Sequence, residues 1–185
     1  MNTEYNLFLD MDGVIVDFDG GYEKLAHGLN AKDIASQYGE KTARDVYLEA
    51  GLHFWANLEW LYGGQELWEA SNKLFQNIYI LSSGGTTNPE RAKMVETGKR
   101  LWLKKNIPNL TPENIIIVMG KHLKPDYATK TSILVDDVSI TIRRCNDRGG
   151  YGILHNCNHY EKTIEELEDI SRPIKLSELI KRFKK

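Results

Sequence analysis

Residues 5–14 read Tyr-Asn-Leu-Phe-Leu-Asp-Met-Asp-Gly-Val, a short apolar run that ends in two carboxylates and a glycine. The run has the length and composition of a buried β-strand. In open parallel sheets, ligand sites lie at the carboxyl ends of the strands. Asp10, Asp12 and Gly13 therefore mark both the end of a first strand and the place where a site is expected.

Four more apolar runs follow along the chain, and helix-like stretches separate them. This alternation is typical of a parallel sheet covered by helices, so we predict an α/β fold. The predicted strands are residues 5–10, 77–81, 114–118, 132–135 and 151–154.

Two helices are predicted between these strands, at 64–75 and 89–106. Asn88 before Pro89 is a good helix start, and Met94, Leu101 and Trp102 form the apolar face of the second helix. The tail predicts two short helices, at 161–170 and 175–185, separated by Pro173. The second ends in a solvated cationic cluster of Lys181, Arg182, Lys184 and Lys185.

Residues 20–62 have a helical pattern without a strand, which predicts a small helical insertion after the first strand. We call residues 20–62 the cap insertion and assign 1–19 and 63–185 to the core domain. A chain of 185 residues agrees with one domain plus such an insertion.

Composition narrows the classes of function. With 24 basic and 26 acidic side chains, net charge gives no general attraction to nucleic acid or anionic lipid. Cys145 and Cys157 are too few for a disulfide scaffold and lack the spacing of a zinc site, so we expect reduced thiols. The sequence has no signal-peptide pattern and no apolar run long enough for a membrane span, so we expect a cytoplasmic protein.

Four strand ends carry polar side chains suited to one site. In an extended chain Asp10 and Asp12 point the same way, and their like charges favour a divalent cation such as Mg²⁺ between them; a calcium-type loop or a plain turn are the alternatives. Ser82-Ser83-Gly84-Gly85 ends the second strand and offers an anion cradle, although such residues also end strands simply as turns.

A lysine and two further acids complete the set. Lys124 precedes Pro125 at a predicted helix start, where a cation is poorly placed unless it meets an anion. Asp136 and Asp137 end the fourth strand and repeat the paired-carboxylate pattern; an N-cap would explain one of them but not both. Lys121 and Lys99 are the alternative candidates for the lysine that meets this anion.

This ordered set resembles the haloacid dehalogenase-like (HAD) superfamily of phosphotransferases. Within it, the chain is similar to the 5'(3')-deoxyribonucleotidase family and its phage and bacterial relatives over about residues 6–155. The most specific stretches are Asp-Met-Asp-Gly-Val-Ile-Val-Asp-Phe-Asp-Gly-Gly at 10–21, Phe-Trp-Ala-Asn-Leu-Glu-Trp at 54–60, Ile-Leu-Val-Asp-Asp at 133–137 and Gly-Gly-Tyr-Gly-Ile-Leu-His at 149–155.

The resemblance implies a role for each matching position. Asp10 would be the nucleophile, and Asp12 the general acid and base, with its backbone carbonyl on Mg²⁺. Ser82 and Lys124 would hold the transferring phosphoryl group. The remaining roles would be metal binding by Asp10, Asp12, Asp136 and Asp137, and substrate binding by Ser83 and Gly84.

The cap insertion is rich in aromatic side chains, which can stack on a nucleobase. The resemblance puts Phe54 and Trp55 near the substrate mouth, whereas packing in a core is the ordinary alternative. Trp68 and Trp102 are expected to be packing residues. The chain departs from the animal nucleotidases at Gly84 and Val138, where those enzymes continue with proline and a basic residue, and this puts the nucleotide preference in doubt.

The sequence thus predicts a Mg²⁺-dependent phosphomonoesterase that works through an aspartyl phosphate, with deoxyribonucleoside monophosphates as substrates. A phosphatase of nucleic-acid 3'-ends, another small-metabolite HAD phosphatase and a non-catalytic phosphate-binding module are the alternatives. We expect a small phosphate ester as the partner, no stable nucleic-acid binding and no membrane association. Assembly as a homodimer is left open.

Overall fold

Five apolar segments of the chain become the strands of one parallel sheet in the computed structural model, which describes residues 1–172. The strands are β1 (Asn2–Leu9), β2 (Phe75–Ser83), β3 (Ile115–Val118), β4 (Ser132–Asp136) and β5 (Tyr151–Leu154). The α-helices of this range are α1 (Phe18–Leu25), α2 (Ala31–Tyr38), α3 (Glu40–Glu49), α4 (Gly51–Ala56), α5 (Gly64–Leu74), α6 (Pro89–Asn106), α7 (Ser139–Asp147) and α8 (Tyr160–Ser171). The predicted α/β fold is confirmed.

The strand order is β3-β2-β1-β4-β5, so β1 lies at the centre of the sheet. Leu7 pairs with Ile78 of β2 on one side and with Ile133 of β4 on the other. The chain places β2 and β3 on one side of β1 and then β4 and β5 on the other. The direction in which strands are added therefore changes beside β1. In parallel sheets, ligands bind at the carboxyl ends of the strands at such a point.

The main core packs the sheet against the helices. Leu7, Leu9, Leu67, Trp102 and Ile133 are each fully buried in it. The Trp102 indole N–H donates to the carbonyl oxygen of Leu58 at 2.7 Å, so this side chain is a packing residue as predicted.

Two sequence predictions need correction. The buried face of α6 contains Val95, Gly98, Lys99, Trp102 and Leu103, whereas the predicted Leu101 is 45% exposed. Trp102 lies on the buried face as predicted, whereas Leu101 does not, and Lys99 was not among the residues predicted there.

The second correction concerns Lys124, which does not begin a helix. It lies in the middle of a 3-10 helix, Lys121–Tyr127, because the first turn already closes between the Gly120 carbonyl and the Leu123 N–H, at 3.0 Å. The tail prediction at 175–185, with its cationic cluster, lies outside the described residues.

Helices α1 to α4 lie in the cap insertion, residues 20–62, except for the first two residues of α1, Phe18 and Asp19. Two chain segments run side by side where it joins the core domain: the Asp17 N–H donates to the Glu59 carbonyl and the Leu61 N–H to the Ile15 carbonyl, both at 3.0 Å. Its helices share a small apolar cluster around Tyr22, which is fully buried. Both chain connections to the insertion thus leave from the region just after β1.

Both cysteines are free thiols; Cys145 is buried and Cys157 is half-buried. Within residues 1–172, every helix is too short or too polar to cross a bilayer.

Candidate active site

A single tight turn follows β1 and fixes the first two acids. The Met11 carbonyl accepts hydrogen bonds from the N–H groups of Val14, Ile15 and Val16 at 3.2, 2.9 and 2.8 Å. Gly13 has a φ of +74°, and a Cβ there would lie 2.6 Å from Oδ2 of Asp137. Glycine is therefore required at position 13 both for the backbone conformation and for the space that Asp137 occupies.

Asp10 is buried at the end of β1, with 5% of its surface exposed. Its Oδ1 accepts the N–H of Met11 at 2.7 Å, and its Oδ2 lies 2.5 Å from Nζ of Lys124. The same Nζ donates to Oδ2 of Asp136 at 2.8 Å. Although burial disfavours the ammonium, Asp10 and Asp136 raise the pKa of Lys124 above its ordinary value.

An ammonium group has three N–H donors. Among the described residues, Lys124 uses two of them on carboxylates, so one donor is free for an anion beside Asp10.

Three carboxylates converge at the ends of β1 and β4. Oxygen atoms of Asp10, Asp136 and Asp137 all lie within 4.8 Å of one another. Burial and the charges of Asp10 and Asp136 raise the pKa of Asp137 to about 7. This cluster carries more negative charge than Lys124 alone balances. An all-oxygen set of this kind suits a hard divalent cation.

Asp12 is held by a different lysine. Nζ of Lys99, on α6, lies 2.5 Å from Oδ2 of Asp12 and donates to Ser82 Oγ at 2.8 Å and to the Ser83 carbonyl at 3.0 Å. Burial raises the pKa of Asp12, and the Lys99 charge opposes that rise. Oδ1 of Asp12 is buried and accepts no hydrogen bond from any group in residues 1–172. Asp12 therefore has one oxygen anchored by Lys99 and one enclosed without a partner in that range, although 27% of its side chain is exposed.

The segment after β2 differs in detail from the predicted anion cradle. Ser82 is fully buried, and the Gly84 N–H is already donated to the Val118 carbonyl at 2.7 Å. The cavity wall instead takes Ser83, Gly85, Thr86 and Thr87. Hydroxyls are thus present at this strand end, but they begin one residue later than Ser82.

A cavity of about 560 Å³ opens above these residues. Its floor contains Asp10, Asp12, Lys124 and Asp137. The sides include cap-insertion and loop side chains, among them Phe18, Lys32, Arg44, Tyr47, Trp55, Lys121 and His122. Lys121 is exposed at this wall, whereas Lys124 is buried beside Asp10. The acids thus face a space bounded by the cap insertion.

Of the two cap residues predicted to contact the substrate, Trp55 lines the cavity and Phe54 does not. Trp55 lines the cavity, and its ring stacks on Phe18 with centroids 5.6 Å apart. Phe54 packs edge-on against Trp55 and Phe18, at 5.1 and 5.9 Å. Tyr47 joins Trp55 at the wall. The cavity side of the aromatic cluster is therefore formed by Phe18, Tyr47 and Trp55.

Sequence reasoning gave Lys99 only as a rival for the role of Lys124. A usable signal was present, since Lys99 follows Val95 by four residues and precedes Trp102 by three, on the same helical face. Arg44, Thr86 and Thr87 also line the cavity, but no pattern in the sequence distinguished them from ordinary surface residues.

Comparison with known proteins places the fold. No model of a protein family matches this sequence, and no curated protein matches it. A HAD hydrolase of family IA, variant 3, from Entamoeba histolytica HM-1:IMSS is similar in structure, with a TM-score of 0.51 and 13% identity over 91% of this chain and 100% of that chain. A HAD-superfamily hydrolase from Ehrlichia chaffeensis has a TM-score of 0.49 and 13% identity, covering 93% of this chain and all of its own. The first likeness shows that this chain has a HAD-like fold.

Proposed function

We propose that this chain is a Mg²⁺-dependent phosphomonoesterase that hydrolyses deoxyribonucleoside monophosphates through an aspartyl-phosphate intermediate. The observation that carries the proposal is the Asp10 carboxylate on the cavity floor, paired with Lys124 and crowded by Asp136 and Asp137. A carboxylate nucleophile divides hydrolysis into two easier steps.

In the first step an oxygen of Asp10 forms a bond to phosphorus while the ester P–O bond breaks. The departing alkoxide takes a proton from Asp12, which lines the cavity with 27% of its side chain exposed. Lys124 stabilises the transferring phosphoryl group through its remaining N–H donor. The predicted role of Ser82 in this step becomes indirect, because its hydroxyl is fully buried and accepts a hydrogen bond from Lys99. The products are the free alcohol and phosphorylated Asp10.

In the second step Asp12, now a carboxylate, takes a proton from water. The water oxygen bonds to phosphorus, and the bond between phosphorus and Asp10 breaks. Inorganic phosphate leaves, and Asp10 returns to its starting state.

The carboxylates of Asp10, Asp136 and Asp137 fit a Mg²⁺ ion, since their oxygens are hard donors within 4.8 Å of one another. When bound there, Mg²⁺ offsets the charge of the phosphoryl oxygens. The predicted metal contact of Asp12 would come from its backbone carbonyl, because its side chain is engaged by Lys99.

Two features favour a nucleotide as the substrate. The cavity has the volume of a small-molecule site. The half-buried rings of Phe18 and Tyr47 line the cavity and are suited to stack on a planar base, whereas Trp55 is only 3% exposed. Ser83 also lines the cavity and is proposed to contact the substrate, whereas the occupied N–H of Gly84 leaves that residue a supporting role in the loop.

The test is phosphate release from 5'- and 3'-deoxynucleotides, sugar phosphates and a 3'-phosphorylated oligonucleotide, with Mg²⁺ and with a chelator. Asp10→Asn is the blank and is expected to fold but show no turnover, because the amide is not a nucleophile. Preference for deoxynucleotides supports the proposal. Activity confined to sugar phosphates or to the oligonucleotide would replace the substrate, and activity in Asp10→Asn would exclude Asp10 as the nucleophile.

A further inference from the structure

Lys99 is a fully enclosed cation in the apolar face of α6, with 1% of its surface exposed. Its neighbours on that face, Val95, Trp102 and Leu103, belong to the main core. Burying an ammonium group costs free energy that an apolar side chain of similar length would not. Packing therefore does not explain a lysine at position 99.

The three donors of Lys99 are all used, and all on the candidate active site. They match the three acceptors Asp12 Oδ2, Ser82 Oγ and the Ser83 carbonyl, at 2.5, 2.8 and 3.0 Å. An ammonium with three satisfied donors has none left for a phosphoryl oxygen. Lys124, by contrast, uses two. Lys124 is therefore the lysine that can bind the phosphoryl group, whereas Lys99 holds the side chains next to it.

The cap insertion reaches this lysine through Trp55. The Trp55 ring centroid lies 4.9 Å from Nζ of Lys99, which is the geometry of a cation–π contact. Helix α4 can approach α6 this closely because residue 98 is glycine. A Cβ on Gly98 would lie 2.5 Å from Cβ of Trp55 and 2.8 Å from the Leu52 carbonyl oxygen.

We propose that Lys99 is a positioning residue that aligns the Asp12 carboxyl group for proton transfer to the leaving group, and that Trp55 couples this alignment to cap helix α4. The inference rests on the proposed function, since it assigns a partner to its general acid. With Oδ2 anchored by Lys99, the Asp12 carboxyl group is held at the cavity wall, where 27% of its side chain is exposed. A substrate that contacts Trp55 thereby affects the position of Asp12, which protonates the leaving group.

Two aryl esters of nearly the same size distinguish this role from phosphate binding. p-Nitrophenyl phosphate has a leaving group that departs without protonation, whereas phenyl phosphate has one that needs a proton. We measure kcat/KM, which reports only steps up to aspartyl-phosphate formation. The ratio of the two values does not depend on how much of a variant is folded.

Lys99→Met is expected to raise the ratio of p-nitrophenyl to phenyl phosphate by roughly tenfold or more, because general acid catalysis contributes about 10² to 10⁴. Lys99→Arg retains the cation and should change the ratio less. Trp55→Leu should move the ratio in the same direction as Lys99→Met and by a smaller factor. Lys93→Met is the matched control, because Lys93 is an exposed lysine on α6 paired with Glu96.

An unchanged ratio in Lys99→Met, with both esters slowed equally, would overturn the proposal and make Lys99 a phosphate-binding or purely structural residue. A shifted ratio in Lys99→Met with no shift in Trp55→Leu would overturn the coupling to the cap. If the wild-type protein turned over neither these esters nor any nucleotide, the proposed function itself would fail, and the role of Lys99 with it.

Discussion

Asp10 and Asp12 are two residues apart, yet each is paired with a lysine from a different part of the fold. Lys124 comes from the 3-10 helix after β3 and meets two carboxylates, all three side chains being at most 6% exposed. Lys99 comes from the middle of α6 and meets one carboxylate that is 27% exposed, together with neutral oxygens and the Trp55 ring.

The difference between the two sides has a chemical meaning. On the Asp10 side, a cluster of acids carries more negative charge than its lysine balances, which favours a metal ion, and the lysine provides a cation for a phosphoryl group. On the Asp12 side, one carboxylate is oriented by hydrogen bonds, which is what a group that exchanges a proton requires. One strand end thus serves two tasks because two elements approach it from different directions.

Among the variants that distinguish the two sides, Lys124→Met is expected to cause the largest loss of kcat/KM. Removing a donor aimed at developing charge costs about 10² to 10³ in rate, so kcat/KM should fall by that factor for both aryl phosphates. Because Lys124 does not act on the leaving group, the ratio of the two esters should stay at its wild-type value. Steady-state kinetics on both esters make the measurement.

Lys121→Met is the companion variant, since Lys121 is an exposed alternative on the cavity wall. It should have the smaller effect. A greater loss in Lys121→Met than in Lys124→Met would reverse the assignment of the two lysines.

The next effect concerns the metal side alone. Asp137→Asn removes one of the three converging carboxylate charges. The Mg²⁺ concentration for half-maximal activity should rise by at least the roughly 10- to 100-fold that is typical of losing even a supporting group at a metal site. A Mg²⁺ titration of activity, with the exposed Asp126→Asn as control, makes the measurement. An unchanged titration curve would remove Asp137 from the metal site.

The acids and the serine at the strand ends were easier to predict from the sequence than the role of Lys99. Asp10, Asp12, Ser82, Asp136 and Asp137 lie at strand ends or directly after them, and parallel strands bring their carboxyl ends to one edge. Apolar runs locate those ends, so the sequence was sufficient to bring these residues together. The five strands and their parallel arrangement followed from the same runs.

Lys99 and Gly98 show where such reasoning stops. Their positions depend on how α6 rotates and on how closely α4 packs against it, and both are set by long-range contacts. A lysine in a helix is ordinarily assigned to the solvated face. The spacing of Val95, Lys99 and Trp102 indicates one helical face, but only the packing shows that a lysine is buried on it. The cavity wall, with Tyr47 and Arg44, likewise depends on the packing of the cap insertion.

The smallest effect tests the connection between the two regions, through Gly98→Ala. The added methyl group must push α4 away from α6, because it would lie 2.5 Å from Cβ of Trp55 and 2.8 Å from a backbone oxygen. Such overpacking costs about 1 to 3 kcal/mol, partly offset by the better helix propensity of alanine, about 1 kcal/mol. Thermal unfolding should therefore show a modest loss of stability.

In the same variant Trp55 moves off Lys99, so the ratio of the two aryl esters should shift in the direction of Lys99→Met but by less. Thr97→Ala, on α6 beside Gly98, is the control and should leave the ratio unchanged. A Gly98→Ala protein that is less stable but has the wild-type ratio would show that the position of α4 does not affect the alignment of Asp12. The cap insertion would then contribute to substrate binding alone.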